Sequence, residues 1–389
     1  MTSRHQAQLP VQWPESVWEV PQMIPADDYD RPGVQAFYFV NEPYHGRETR
    51  VFGFLGLPYL AEGTQCPGMV LIHGGGGTAF DEWVRLWNQR GYAAIAIDLC
   101  GNRPDKECSR HVPPHLRDAY SGPEGWNASF QQMDEPVTEH WQYHAVAALI
   151  RAHTILASLP EVDAGRIGVT GISWGGYMTS LIMGIDQRYL TAVPVYGCGF
   201  LTQNSCWRDD GLLNAEDSRA KRWIELWEPS HYLPSARIPS LWVSGTNDFA
   251  YPLDALQLSY RAVSGPVSLA IEVERPHSHV DGWSPQEIHV FMDALAFKRA
   301  PLPFIHRQVL EGDRLMLEFD SVRPIMRAKL VYTRASGQWQ DRKYNSQELK
   351  VEANRVEAQL PRNTTVAFIN LYDDRGCCVS SPHIERSQT

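Results

Sequence analysis

The sequence predicts an α/β fold, a doubly wound and mostly parallel sheet followed by a small C-terminal β-sandwich. Three observations predict it. Up to residue 300, short apolar runs alternate with helical stretches, the pattern of parallel strands joined by crossover helices. Two of those runs pass into glycine-rich turns, at Gly74 to Gly77 and at Gly171 to Gly176, and in such sheets the loops at strand C-termini build the site. After Pro301-Leu302-Pro303 the helical periodicity stops and only short alternating runs remain.

Residues 1–34 are rich in Pro and Trp and read as a segment running over the surface. Residues 35–300 read as the α/β domain that carries the site. Within them Gln35 to Asn41 and Thr49 to Pro58 form an antiparallel pair, and Gly68 to His73, Ala93 to Asp98, Arg166 to Thr170, Ala192 to Tyr196, Pro239 to Ser244 and Ser268 to Glu274 form the parallel series. The clearest helix is Trp141 to Leu159, where Trp141, Ala145, Ala148, Leu149, Ala152, Ile155, Leu156 and Leu159 share one apolar face. Two long insertions, Gly101 to Pro136 and Gly199 to Ser235, carry Tyr120, Trp126 and Phe130, and Trp207, Trp223 and Trp227; these rings either pin the loops down or stack on substrate. Residues 304–389 read as an immunoglobulin-like β-sandwich, with strands at Leu315 to Phe319, Ala328 to Thr333, Glu348 to Glu352, Arg355 to Leu360 and Thr365 to Tyr372.

Chemistry concentrates at Gly171-Ile172-Ser173-Trp174-Gly175. A strand precedes this Gly-x-Ser-x-Gly, and Trp174, Tyr177, Met178, Leu181, Ile182 and Ile185 follow at helical spacing, so Ser173 lies on the turn with its hydroxyl projecting. A hydroxyl needs a base to become a nucleophile, and the oxyanion it creates needs donors already in place. The N–H groups of Gly75 and Trp174 fit the donors, with Gly76 the near alternative to Gly75. The four glycines lack the Lys-Ser or Lys-Thr of a phosphate-binding loop. Asp248, just past the strand ending at Gly245, fits the acid in the chain order Ser, Asp, His. For the base, His279 and His277 compete within Arg275-Pro276-His277-Ser278-His279-Val280-Asp281. His279 is the choice, three residues past the proline, with His277 as the alternative or as a group supporting it from behind. His73 is expected to anchor the glycine loop.

His277-Ser278-His279-Val280-Asp281 also matches the His-x-His-x-Asp start of a dinuclear zinc motif, but Gly282 stands where that motif continues with a further histidine. No metal and no organic cofactor is therefore expected.

Taken together, His73-Gly74-Gly75, Gly171-Ile172-Ser173-Trp174-Gly175-Gly176, Asp248 and His279 resemble the α/β-hydrolase superfamily. Within it the chain is most similar to the acetyl xylan esterase and dienelactone hydrolase-like esterases, relatives of the prolyl oligopeptidase catalytic domain. Trp227-Glu228-Pro229-Ser230-His231-Tyr232-Leu233-Pro234 is similar to the segment before their acid-bearing strand, and Gly176-Tyr177-Met178 resembles the oligopeptidases. The resemblance covers roughly residues 35 to 300 and implies a serine esterase with a Ser173-His279-Asp248 triad, acting on short-acyl, acetyl-type esters of carbohydrates or small alcohols. An oligopeptidase-type serine peptidase is the first rival, a zinc hydrolase the second and a non-catalytic carbohydrate-binding or scaffold protein that kept the fold the third.

Bulk properties bound the partners. A net charge of −10 with no compensating basic run argues against nucleic acid and anionic membranes, leaving a small-molecule ester, a carbohydrate among the candidates. Homo-oligomerisation is left open. The first ten residues have no apolar core of a secretory signal, so the expected location is the cytoplasm unless a signal has been removed. Seven cysteines without metal-type spacing read as reduced thiols, with a Cys198–Cys206 pairing reserved for an oxidising compartment; Cys377 and Cys378 read as one inward and one outward strand residue.

Overall fold

The computed structural model describes residues 9–104 and 117–386. Among these residues nine strands form the central sheet: β1 (Met23–Pro25), β2 (Gln35–Tyr44), β3 (Arg47–Gly56), β4 (Cys66–Ile72), β5 (Ala93–Ile97), β6 (Val162–Ile172), β7 (Thr191–Val195), β8 (Ser240–Gly245) and β9 (Val267–Glu272). Their order is β1-β2-β3-β5-β4-β6-β7-β8-β9, antiparallel through β1, β2, β3 and β5 and parallel from β5 onward. The doubly wound, mostly parallel sheet is thus present.

Alternation along β4 shows how the two layers arise. Val70 and Ile72 face a core shared with the helices Trp141–Ser158, Trp174–Ile185 and Leu253–Ala262. Met69 and Leu71 face the opposite core, with the helices Asp81–Asn88 and Gln286–Ala296. From β4 the chain steps outward to β5, then returns past β4 to β6. Loops leaving β4 and β6 on the same edge therefore part at a switch point, where a crevice opens.

The N-terminal segment does more than run over the surface. Val11, Trp13 and Val17 are buried, the Trp13 indole N–H donates to the Tyr143 carbonyl at 2.9 Å, and β1 extends the sheet by pairing with β2. Its apolar side chains supply the reason, since they cover part of the helix Trp141–Ser158.

Beyond residue 303 two antiparallel sheets pack face to face around Leu315, Leu317, Phe319, Leu330, Ile369 and Leu371. One holds the strands Phe304–Glu311, Arg314–Asp320, Val351–Glu352 and Arg355–Gln359. The other holds Ile325–Thr333, Asn345–Leu349, Val366–Asp373, Cys378–Ser380 and Ile384–Glu385. The second sheet also lies against β9: the Asn370 amide donates to the Ile271 carbonyl at 2.9 Å, and the Ile271 N–H donates to the Ser380 hydroxyl at 2.8 Å. With both its faces covered, Cys377 and Cys378 are both fully buried, not one inward and one outward. Cys198 and Cys206 are free thiols, and Cys108 lies outside the described residues.

Candidate active site

Ser173 joins β6 directly to the helix Trp174–Ile185, at φ 59° and ψ −116°. A non-glycine residue rarely holds such a backbone, and it persists here because the turn is fixed on every side. The Ser173 N–H donates to the Val195 carbonyl at 2.8 Å. A Cβ on Gly175 would come within 2.2 Å of the Ile72 carbonyl oxygen, and one on Gly171 within 2.2 Å of that of Gly175, so both must be glycine for want of space. Trp174 opens the helix, and its N–H is among those without an intrahelical acceptor.

The glycine loop leaves β4 beside this turn. His73 is buried and holds it as expected of an anchor: its Nδ1–H donates to the Gly74 carbonyl at 3.0 Å, and its Nε2 accepts the Leu99 N–H at 3.0 Å. Burial depresses its pKa to about 4, so the ring is neutral at pH 7. The Gly77 N–H closes the turn on the Gly74 carbonyl at 3.2 Å, leaving Gly75 and Gly76 at the tip, exposed to the crevice.

Asp248 is buried at the end of β8. Its Oδ1 accepts the N–H groups of Ala250 (3.0 Å) and Tyr251 (2.8 Å). Its Oδ2 accepts from a histidine at 2.7 Å, and that histidine is His277 through Nδ1. The expected Asp248–His279 pairing is not made. Instead, His279 Nε2 accepts the Gly74 N–H at 2.9 Å, so the lone pair a base would need is already engaged. His277 lies between Tyr196 (ring centroids 4.7 Å apart, stacked) and Phe249 (4.9 Å). With Nδ1–H committed to the carboxylate, its Nε2 is the nitrogen left to accept a proton.

A local signal separates the two histidines. Ser278-His279-Val280-Asp281 has the form of a helix N-cap, and the Asp281 N–H donates to the Ser278 hydroxyl at 3.0 Å while that hydroxyl donates to the Asp281 carboxylate at 2.5 Å. Ser278 thereby starts the helix His279–Trp283, turning His279 toward the glycine loop and leaving His277 on the extended segment facing Asp248. These contacts also occupy the His-x-His-x-Asp residues separately. Among the described residues no group of three or more His, Cys, Asp or Glu side chains is arranged to hold a metal ion.

Ser173, Trp174, Gly75, His277 and His279 line one cavity of about 530 Å³, walled further by Trp207, Phe249 and Asn127. A second, of about 590 Å³, adjoins it through Gly75, Asn127 and Trp174 and is lined by Trp126, Arg117 and Glu124. The two insertions meet over the cleft, where the Trp207 indole N–H donates to Asn127 Oδ1 at 2.8 Å. Phe130, Trp207, Trp223 and Trp227 are buried, which pins the loops down; Trp126 and Trp207 still present part of their surface to the cavities. Tyr120 lies under the Arg50 guanidinium at 4.3 Å.

Residues 125–279, which hold Ser173, Asp248 and both histidines, match the prolyl oligopeptidase family (Peptidase_S9). The chain has the α/β-hydrolase fold. The acetyl xylan esterase from Paenibacillus sp. R4 shares this fold at a TM-score of 0.55 with 18% identity, over 76% of this chain and 99% of the other. Acetyl xylan esterase 1 from Thermoanaerobacterium sp. JW/SL YS485 does so at 0.55 and 14%, over 72% and 93%. In sequence the chain is 25% identical over 225 residues to the uncharacterized peptidase YuxL of Bacillus subtilis (strain 168); the match takes in 55% of this chain and spans 31% of the relative's length. Among the described residues no helix is long and apolar enough to cross a membrane.

Proposed function

We propose that the protein is a serine carboxylic-ester hydrolase, cleaving short-acyl esters of carbohydrates or other small alcohols through an acyl-enzyme. The observation that carries this reading is the 2.7 Å contact of Asp248 with His277 Nδ1 in the wall of the cavity holding Ser173. Ser173 Oγ attacks the ester carbonyl while His277 Nε2 takes its proton, and Asp248 stabilises the imidazolium that forms. The N–H groups of Gly75 and Trp174 hold the oxyanion. On collapse the C–O bond breaks and His277 returns the proton to the leaving alkoxide; a water, deprotonated by His277, then releases the acid and restores Ser173. His279 acts on the donors instead, holding Gly74 so that the next N–H faces the crevice. Nothing in this sequence of steps calls for a metal or organic cofactor.

The paired cavities suit a substrate with a group on each side of the scissile bond, and the acetyl xylan esterases sharing the fold suggest acetylated sugars. Peptide-bond hydrolysis is the second reading, favoured by the family match and by the relative named as a peptidase. A panel of chromogenic esters of increasing acyl length, acetylated sugars and aminoacyl amides separates them. Acetyl esters are expected to turn over fastest; amides exceeding them in kcat/KM would replace the esterase with a peptidase.

A further inference from the structure

Asp248 is fastened within its own loop, but the position of that loop against His277 has to be set from outside. Asn247, the residue before it, does this. Its amide nitrogen donates to two backbone carbonyls of the C-terminal sandwich, Gln340 at 2.9 Å and Arg342 at 2.7 Å. Its amide oxygen accepts the Thr246 hydroxyl at 2.7 Å, and that hydroxyl accepts the N–H of Glu274 at 3.1 Å, on the segment leading to His277. The Thr246 N–H donates to the Glu272 carbonyl at 2.9 Å. One side chain thus ties together the acid's loop, the base's segment and the turn Trp339–Asp341.

The turn itself is stiff. Trp339 is buried beside His383, with ring centroids 5.2 Å apart, and the Arg342 guanidinium lies 3.9 Å over the indole while donating to the Gly337 carbonyl at 2.9 Å. Two carbonyl oxygens converging on one NH₂ accept only a donor there, so a carboxylate in place of the amide would be repelled. We infer that Asn247 is a positioning residue, through which the C-terminal sandwich holds Asp248 in register with His277. The inference rests on the reading of Ser173, His277 and Asp248 as the triad.

The test uses the full-length enzyme and a chromogenic acetate ester, with kcat, KM, the pH profile of kcat/KM and Tm measured for Asn247→Ala, Asn247→Asp and Trp339→Ala beside His277→Ala. Asn247→Ala and Asn247→Asp are expected to lower kcat by about 10- to 100-fold with KM changed less than about threefold, as for displaced catalytic geometry. Because a displaced Asp248 stabilises the His277 cation less, the acidic limb of the profile is expected to move to lower pH, a shift that destabilisation alone would not produce. Trp339→Ala is expected to give the same phenotype more weakly and to add little to Asn247→Ala. Should the Asn247 variants fail to fold, the limb shift in Trp339→Ala decides alone. Variants with kcat within about twofold of the parent, or with an unmoved acidic limb, would overturn the clamp. Retained activity in His277→Ala would overturn the triad reading instead, whatever Asn247 does.

Discussion

Ser173 occupies a strained backbone because β6 must turn into a helix within one residue, and the close packing of Gly171 and Gly175 leaves no other path. That strain is what presents the hydroxyl to the cavity. Ser173→Ala is expected to lower kcat by about 10⁴-fold or more while the fold stays intact, and a fluorophosphonate is expected to label Ser173; labelling elsewhere would remove it as nucleophile. The proposed roles order the two histidines. His277→Ala is expected to match the serine variant, since the two act as one unit, whereas His279→Ala should cost only about 10- to 100-fold, because one oxyanion donor is displaced and no proton acceptor is lost. The reverse order would return the base to His279. The placing of Ser173 and Asp248 at strand ends was legible in the sequence from the turn chemistry around each. Which histidine meets Asp248 was not readable from chain order, which cannot distinguish positions two apart; the Ser278 cap that turns the other away was written in the same segment. The second histidine and the glycines also explain each other: a Cβ on Gly77 would come within 2.7 Å of His279 Nε2, so the ring can lie on the loop only where side chains are absent.

At the scale of elements, the helix Trp141–Ser158 shows what periodicity reveals and what it hides. Its apolar stripe places it correctly, yet the residues off the stripe are buried as well, because the N-terminal segment and the insertions cover the outer face. His144 and His153 are consequently held as neutral rings, burial lowering each to about 4 from an ordinary 6.5; for His153 a nearby Asp186 pulls the other way and Arg188 adds to the lowering. A pKa lower in the folded state means that the unfolded chain takes up the proton first. The stability is thus whole above pH 6.5 and is lost as pH falls from 6.5 toward about 4. Glu228 opposes this in part: burial raises it to about 7 from 4.5, so its contribution is present at low pH and fades as pH rises through that window. Tm is expected to fall between pH 6.5 and 4, and His153→Phe, filling the place beside Tyr189 without a titrating group, should flatten that dependence. An unchanged slope in the variant would show that His153 is not among the groups responsible. Elements escaped notice where their pattern was weak. Phe304–Glu311 is an edge strand with charged and half-exposed side chains on both faces, and Cys378–Ser380 is three residues long.

For the molecule as a whole, the consequential fact is that the central sheet ends at β9, beside whose outer edge there is no further strand among the described residues. Unpaired edge groups invite pairing with another chain. The C-terminal sandwich answers this with side chains instead of a tenth strand, Asn370 and Ser380 taking the carbonyl and N–H of Ile271. Arg375 fastens the junction, donating to the carbonyls of Ala300 (2.7 Å) and Pro301 (2.8 Å) while paired with the buried Asp373. The break at Pro301-Leu302-Pro303 was readable as a change of composition, but contacts between distant segments leave no periodic trace, so the sandwich's hold on β9 and on Asn247 was not. Two kinds of substitution separate its duties. Asn370→Ala removes the donor to a buried carbonyl and is expected to lower stability by about 1–3 kcal/mol in denaturant unfolding, with kcat changed less than about twofold. Truncation before residue 304 bares the whole edge together with the apolar face against it, and the product is expected to associate, read by light scattering or gel filtration, before its activity can be compared. A truncated chain that stays monomeric and stable would mean that the edge needs no cover. Loss of kcat in Asn370→Ala at unchanged stability would mean that the sandwich reaches the chemistry through β9 as well as through Asn247.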